Sequence, residues 1–328
     1  MNKRELGQYY TIQNPFKHLL FKKWMNLIPV KNKIIEPFAG SNNIVKLVKE
    51  SGYNYVWDCF DIEPPNDNVT PEYTVKQKDT LKDFPIGYNV CITNPPYLGK
   101  SSAKRRKINY PWEEDDLYKV CLSVMLKHCD YVAAIIPESF ITADIHTDRL
   151  FGVVSLNCNM FDDTDCPVCL AMFVPYKVDN TEMWTTEEYL GTLQELKNYP
   201  LTACTKGNMW VFNDKNGSIG VKTVDSQIKP DCEFFYGEKI NPENIKVSSR
   251  AFTRISGLPK NYNLNEFLNE CNIILKKYRY DTKDVLMTSF KGLRKDGKYR
   301  RRLDFRTVRC ILNRALKTIE DRKTCNTN

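Results

Sequence analysis

Histidine is nearly absent, with three in 328 residues: His18, His128 and His146. Cys166-Pro167-Val168-Cys169 is a lone C-x-x-C pair without a second, so a zinc centre has little to draw on and no metal is expected. The twelve cysteines are too dilute in a chain of this length for a disulfide scaffold. Cys91, Cys121, Cys271 and Cys310 sit inside apolar segments, where cysteine acts as a small core residue. Long apolar runs are missing as well. Stretches such as 168–174 fall far short of the ~20 residues of a membrane span, and the first eight residues are polar where a signal peptide would be apolar. Repeats and low-complexity tracts are also lacking. These absences lead to the expectation of a soluble, cytoplasmic protein without a membrane partner.

The chain does have the apolar content for a core, 42% of residues, and a length that suggests about two domains. Its net charge of +8 is unevenly spread. From Lys246 onward there are about 21 Lys/Arg against about 8 Asp/Glu, so the rest of the chain is slightly acidic. A basic segment on a near-neutral body suits a polyanionic partner.

Asn14-Pro15 is a helix-start signal, and Phe16, Leu19, Leu20, Trp24, Leu27 and Ile28 mark one apolar face before Pro29. Short apolar strands then alternate with helices. Strands are expected at 34–35, 53–60, 73–78, 88–93 and 131–136, with a closing pair at 153–161 and 168–175. Helices are expected at 43–51 and 113–128, with a charged loop at 99–112 before the second. This rhythm predicts an α/β fold with an open, mostly parallel sheet covered on both faces. Beyond about residue 176 the rhythm dissolves; a helix at 185–199, a hairpin turn at 295–298 and a basic helix at 306–319 are expected. The boundary is placed near 177–182, giving domains 1–177 and 178–328.

Ligands of such sheets bind at the carboxyl ends of the strands. Four chemistry-bearing stretches fall there: 36–40 (E-P-F-A-G), 61–63 (D-I-E), Asp79, and 94–97 (N-P-P-Y). Gly40 permits a tight turn, and Glu36 offers a carboxylate to an ammonium or hydroxyl. Asp61 follows the turn at the spacing at which a carboxylate grips ribose hydroxyls. Asp79 is either a cap or an acceptor for an exocyclic amine. In the last stretch the Asn94 carboxamide oxygen and the Pro95 carbonyl are two acceptors held by the proline rings. They suit an NH2 group, and Tyr97 adds an aromatic face for a planar ring. Neither acceptor is a strong base, so this loop positions an amine rather than deprotonating it.

The motif N-P-P-Y, with G-Q-Y-Y-T at 7–11, E-P-F-A-G at 36–40, D-I-E-P at 61–64 and Asp79, resembles the S-adenosylmethionine-dependent DNA adenine-N6 methyltransferases of the gamma group. The resemblance covers residues 5–175. It implies a Rossmann-like class I methyltransferase sheet, mostly parallel with a closing antiparallel strand, plus a smaller basic C-terminal domain for target recognition. It also implies S-adenosyl-L-methionine as cofactor. Gly7, Tyr10, Thr11, Glu36, Ala39 and Gly40 would line its methionine part. Asp61 would hold the ribose, Ile62 would pack on the adenine and Asp79 would read the amino group. Asn94, Pro95, Pro96 and Tyr97 would receive the target adenine, with Phe161 as the second aromatic around it. Two positions depart from the family's pattern: Asn42 stands for a second glycine, and Ile12 for a proline.

The implied partner is double-stranded DNA, and the implied reaction is direct methyl transfer to a base rotated out of the duplex. Lys104, Arg105, Lys291, Arg294, Arg300, Arg301, Arg302 and Arg306 are the candidate DNA contacts. A monomeric modification enzyme of a type II restriction-modification system, with any cognate endonuclease acting separately, is the leading expectation; a solitary phage or viral enzyme is a variant of it. An RNA adenine-N6 methyltransferase and a nucleic-acid-binding protein on an inactive scaffold are the alternatives. A protein-glutamine methyltransferase would leave the basic segment without a role.

Overall fold

The computed structural model describes residues 13–29, 33–157, 159–161, 166–199, 201 and 209–325. The chain divides into two units, Met1–Thr192 and Leu193–Asn328.

The first unit is built on one nine-stranded sheet. Its strands are β1 (Ile34–Glu36), β2 (Trp57–Asp61), β3 (Val75–Gln77), β4 (Val90–Thr93), β5 (Tyr131–Pro137), β6 (Leu150–Leu156), β7 (Val168–Phe173), β8 (Glu182–Thr185) and β9 (Tyr189–Thr192). They lie in the order β3-β2-β1-β4-β5-β7-β6-β8-β9. The pairs from β3 through β5 are parallel, and β7 runs antiparallel between β5 and β6. This is the Rossmann-like open sheet with a closing antiparallel strand that the resemblance implied. The order reverses between β1 and β4, a topological switch point.

The strand sequences explain the layering. Val132, Ala133, Ala134, Ile135 and Ile136 of β5 are wholly buried, as are all six residues of β7. Continuous apolar runs of this kind are what central strands covered on both faces require. Among the described residues this unit has four α-helices, α1 (Leu19–Met25), α2 (Asn43–Glu50), α3 (Lys100–Arg106) and α4 (Leu117–His128). Trp24 of α1 is fully buried and donates its indole N–H to the Phe173 carbonyl at 2.9 Å, tying this helix to β7.

Three expectations need correction. The helix expected from 113 starts at Leu117, because the Asp116 side chain caps it by accepting from the Tyr118 amide at 3.4 Å. The loop expected across 99–112 contains α3. The helix expected at 185–199 is instead the end of β8, a turn, and β9, followed by the short α5 (Leu193–Lys197). Thr185 Oγ1 accepts from the amides of Glu187 and Glu188, and Trp184 opposes Tyr189 across the strands with rings 5.0 Å apart. The side-chain turn and the aromatic cross-strand pair outweigh the helical spacing of the leucines. Because β8 pairs with β6, the first unit takes in residues to Thr192, beyond the boundary read at 177.

The second unit has a four-stranded antiparallel sheet of β10 (Val211–Phe212), β11 (Ile219–Lys222), β12 (Glu233–Tyr236) and β13 (Phe252–Ser256), ordered β10-β13-β11-β12. It also has a hairpin, β14 (Thr288–Leu293) and β15 (Tyr299–Arg302), and two long helices, α6 (Leu264–Thr282) and α7 (Phe305–Cys325). The turn expected at 295–298 joins the hairpin, with Gly297 at φ +75°. Phe267 and Cys271 from α6 and Val308, Ile311, Leu312 and Ala315 from α7 are wholly buried.

Candidate active site

The ends of β1 and β4 meet at the switch point. Glu36 closes β1 and is wholly buried. Its Oε1 accepts from the Phe38 amide at 3.1 Å and from the Thr93 hydroxyl at the end of β4. Among the described residues, its Oε2 is buried with no hydrogen-bond partner. Burial raises its pKa to about 8, against the lowering pull of those two hydrogen bonds. A buried carboxylate with an open oxygen is a site for a cation or a strong donor.

The chain then turns tightly. Gly40 has φ +47° and Asn42 φ +65°, both left-handed. Asparagine tolerates that region better than most residues, which explains how Asn42 can hold a position suited to glycine. Its carboxamide has a further use, donating to Asn68 Oδ1 at 3.0 Å and to the Tyr73 carbonyl at 2.8 Å. Ser41 likewise donates to Asp67 at 2.8 Å. The segment after β2 is thereby tied to the turn.

Asp61 at the end of β2 is buried. Its Oδ2 accepts from the Gly40 amide at 2.9 Å and its Oδ1 from the Glu63 amide at 2.9 Å. The carboxylate expected at the ribose therefore also holds the glycine turn. Ala39 is buried, whereas Ile62, which follows Asp61, is 48% exposed. Asp79 accepts from the Lys82 amide at 3.3 Å and pairs with its ammonium at 3.0 Å, which makes it a turn cap. Gly7, Tyr10 and Thr11 lie outside the described residues.

The 94–97 loop differs from expectation in one respect. Tyr97 is not an exposed aromatic; only 7% of it is accessible. Its hydroxyl donates toward Asn94 Oδ1 and toward the Ile135 carbonyl, the latter at 2.6 Å. Pro95 is buried, and Pro96 and Asn94 are half-buried. Phe161 is fully buried, with its ring centroid 6.2 Å from that of Tyr97 and the planes at 65°. The two aromatics are thus together, but edge to face. A base between them needs parallel rings about 7 Å apart, twice an ordinary stacking distance, so one ring must turn to admit it.

Two site neighbours escaped the sequence reading. Thr93 precedes the asparagine directly, where the apolar pattern predicts only the last residue of a strand. Glu138 follows β5, is buried, and accepts a hydrogen bond from the Ser155 hydroxyl of β6. An acid just after Pro137 at a strand's carboxyl end was a signal of the same kind as Asp61.

The candidate DNA contacts separate into two groups. Lys104 and Arg105 of α3 and Arg306 of α7 are exposed. Arg294 and Arg301 are buried, so the reading of these two as phosphate contacts is corrected. Arg294 pairs with Asp296 at 2.9 Å and Asp225 at 3.4 Å, and Arg301 donates to the Ser289 hydroxyl at 2.8 Å. Arg300 and Arg302 are half-buried, and the Arg300 guanidinium lies over the Phe290 ring and donates to the Asp225 carbonyl at 2.7 Å. The side chain of Lys291 lies outside the described residues.

Asp225 is the centre of this network. It accepts two hydrogen bonds from Arg279, at 2.7 and 2.8 Å, and others from the amides of Asp231, Cys232 and Arg301. Burial alone would raise its pKa; the Arg279 hydrogen bonds and charge outweigh that and hold it at about 2. Part of the basic segment's charge is therefore internal. Among the described residues no group of histidine, cysteine and carboxylate side chains could hold a metal ion, and no helix is long and apolar enough to cross a membrane.

No protein-family model and no curated protein matches the chain. Similar solved structures include a type I restriction-modification system methyltransferase subunit from Streptococcus thermophilus, at 14% identity over 58% of this chain and 53% of that one, with a TM-score of 0.39. The type IIG restriction endonuclease BpuSI is 16% identical over 61% of this chain and 29% of its own, with a TM-score of 0.41. The M protein of the type I restriction enzyme EcoKI is 13% identical over 54% and 48%, with a TM-score of 0.36. The matched regions span about half or less of those chains.

Proposed function

We propose that the first unit binds S-adenosylmethionine and transfers its methyl group to N6 of an adenine rotated out of duplex DNA. The observation that carries this reading is the Glu36–Thr93 hydrogen bond, which places a buried acid with an open oxygen directly beside the N-P-P-Y loop. The open Glu36 Oε2 fits the ammonium of the cofactor's methionine part. The turn at Gly40 carries no side chain to block a close ligand, Asp61 lies at the strand end where the ribose would sit, and Ile62 offers an accessible apolar face to the adenine. When bound, the cofactor supplies an electrophilic methyl group on sulfur.

The chain's own part in the reaction is positional. Asn94 Oδ1 and the Pro95 carbonyl accept the two amino hydrogens of the target base, which turns the nitrogen lone pair toward the methyl group. The Tyr97 hydroxyl, displaced from Asn94, retains the Ile135 carbonyl as acceptor. So held, the amino nitrogen would accept the methyl group that the cofactor, bound by Glu36 and Asp61, would supply from its sulfonium, and the excess amino proton would pass to solvent. No covalent bond to the protein forms. Left-handed Asn42 preserves the turn, so its exchange for glycine does not favour an inactive scaffold.

In this reading the second unit recognises the DNA target with Arg302 and Arg306 on phosphates, and the α3 cations of the first unit are a separate phosphate contact. The protein then serves as the modification enzyme of a type II restriction-modification system, acting apart from its endonuclease. Parallel incubations of unmethylated genomic DNA and of RNA with labelled S-adenosylmethionine, the DNA then read by single-molecule sequencing, test it. Methyladenine confined to one short motif supports the reading. Label on RNA alone transfers the activity to RNA, and label on neither rejects it.

A further inference from the structure

One face of the four-stranded sheet in the second unit has a composition that the proposed reading does not use. Strand alternation places Gly220 and Lys222 of β11, Glu233 and Phe235 of β12, and Phe252 and Arg254 of β13 on the same side. Gly220 matters here because it has no side chain. The Phe235 ring lies across it, and a Cβ at that position would stand 2.7 Å from the ring. Phe235 thus packs over Gly220, while Phe252 on the same side is 48% exposed. The Lys222 ammonium sits 6.0 Å from the centre of the Phe252 ring and is held by Asp231 at 2.6 Å.

Two open cavities, of about 440 and 490 Å³, flank these rings and share Phe235, Phe252 and Lys239. The charged side chains lining them are Lys222, Lys239, Arg250 and a single carboxylate, Glu233, so the face is cationic. The larger cavity is also lined by Asn265, Asn269 and Asn272. These fall at i, i+4 and i+7 along α6 and so form one stripe. Asn272 spends its carboxamide on the backbone of Phe234, at 2.8 and 2.9 Å, while Asn265 and Asn269 are exposed. The Arg250 guanidinium lies 5.1 Å from the centre of Phe305; Phe212, on which Phe305 stacks at 4.5 Å, pairs with Ile255 and belongs to the other side of the sheet.

We infer that this face binds single-stranded DNA, stacking an unpaired base on Phe252. Asn265 and Asn269 hydrogen-bond to the base edge, and Lys239 and Arg250 neutralise the adjoining phosphates. An exposed aromatic on a sheet face between cations is what a sequence-tolerant single-strand site requires, because every base has a flat face to stack. Carboxamides match the donor and acceptor pairs of base edges. The site lies wholly within the second unit and does not depend on methyl transfer.

The test is fluorescence anisotropy of a labelled twelve-nucleotide oligodeoxythymidylate with the full chain, without S-adenosylmethionine. Phe252→Ala should weaken binding roughly 5- to 100-fold, the range for loss of one stacking side chain. Lys239→Ala should reduce the salt dependence, and Asn269→Ala should weaken binding while leaving the salt slope unchanged. Phe252 is half exposed, so matched thermal melting of the variant and the parent shows that the fold is intact. Failure of the parent to bind the oligonucleotide overturns the inference, as does equal binding by parent and Phe252→Ala. Because no cofactor is present, either result leaves the methyl-transfer reading to its own assay.

Discussion

The Thr93 hydroxyl donates a hydrogen bond to the Glu36 carboxylate, joining the carboxyl ends of β4 and β1 where the strand order reverses. One side chain thus couples the buried acid of the first half of the sheet to the loop that follows the second. Thr93→Val should keep the packing volume but remove the donor. The expected outcome is weaker S-adenosylmethionine binding by calorimetry with little change in the far-ultraviolet spectrum.

Glu36 should make stability depend on alkaline pH. Its pKa in the folded protein, about 8, lies well above the ordinary glutamate value because burial disfavours the charge. A raised folded pKa means that its contribution is fully present below about pH 4.3 and is lost as pH rises through about 8. Glu36→Gln cannot ionise. Its melting temperature, compared with the parent's, should therefore rise between pH 6 and pH 9 in scanning calorimetry. A constant difference across that interval would show that Glu36 is not the group responsible.

Asn94→Ala should abolish methyl transfer and leave S-adenosylmethionine affinity nearly unchanged, because the carboxamide acts on the incoming amine. Turnover close to the parent's would contradict its role. Tyr97→Phe gives the complementary result: it removes the hydroxyl that bonds Asn94 and Ile135 but keeps the ring. The reaction should persist, reduced by no more than about tenfold, the equivalent of one hydrogen bond.

Asp61→Ala should have two effects, since the carboxylate holds the Gly40 and Glu63 amides as well as facing the proposed ribose. Calorimetry should show weakened cofactor binding, and chemical denaturation a loss of about 1–3 kcal/mol from the donors left unsatisfied.

In the second unit, Asp225→Ala strands Arg279 and Arg294 without their buried partner, at a cost of about 3–5 kcal/mol. The carboxyl's low pKa, about 2, places its contribution above about pH 3.9 and removes it as pH falls toward 2, so urea midpoints of parent and variant should converge on acidification. Neutralising Arg302 and Arg306 should instead leave the midpoint in place and lower the salt slope of DNA binding by up to about 2. Neutralising Arg294 and Arg301 should act on stability.

Much of the first unit was legible from sequence alone. Apolar runs such as that of β5, ended by proline, asparagine or acid, specify buried strands and their carboxyl ends, and the spacing of 36–40, 61–63 and 94–97 put their chemistry on one edge. The left-handed turn at Asn42 also followed from residue type, since few other side chains tolerate that conformation. What the one-dimensional pattern could not carry was which polar groups would meet. That Asp61 holds the Gly40 amide, that Thr93 reaches Glu36, and that Tyr97 is buried against Asn94 are consequences of strand order and register. Each brings together residues three to about sixty positions apart. The basic segment shows the same division. Its charge was countable from the chain, but only the fold decided that Arg279 and Arg294 turn inward while Arg306 remains at the surface, because a buried Asp225 stabilises cations beside it at the expense of their exposure.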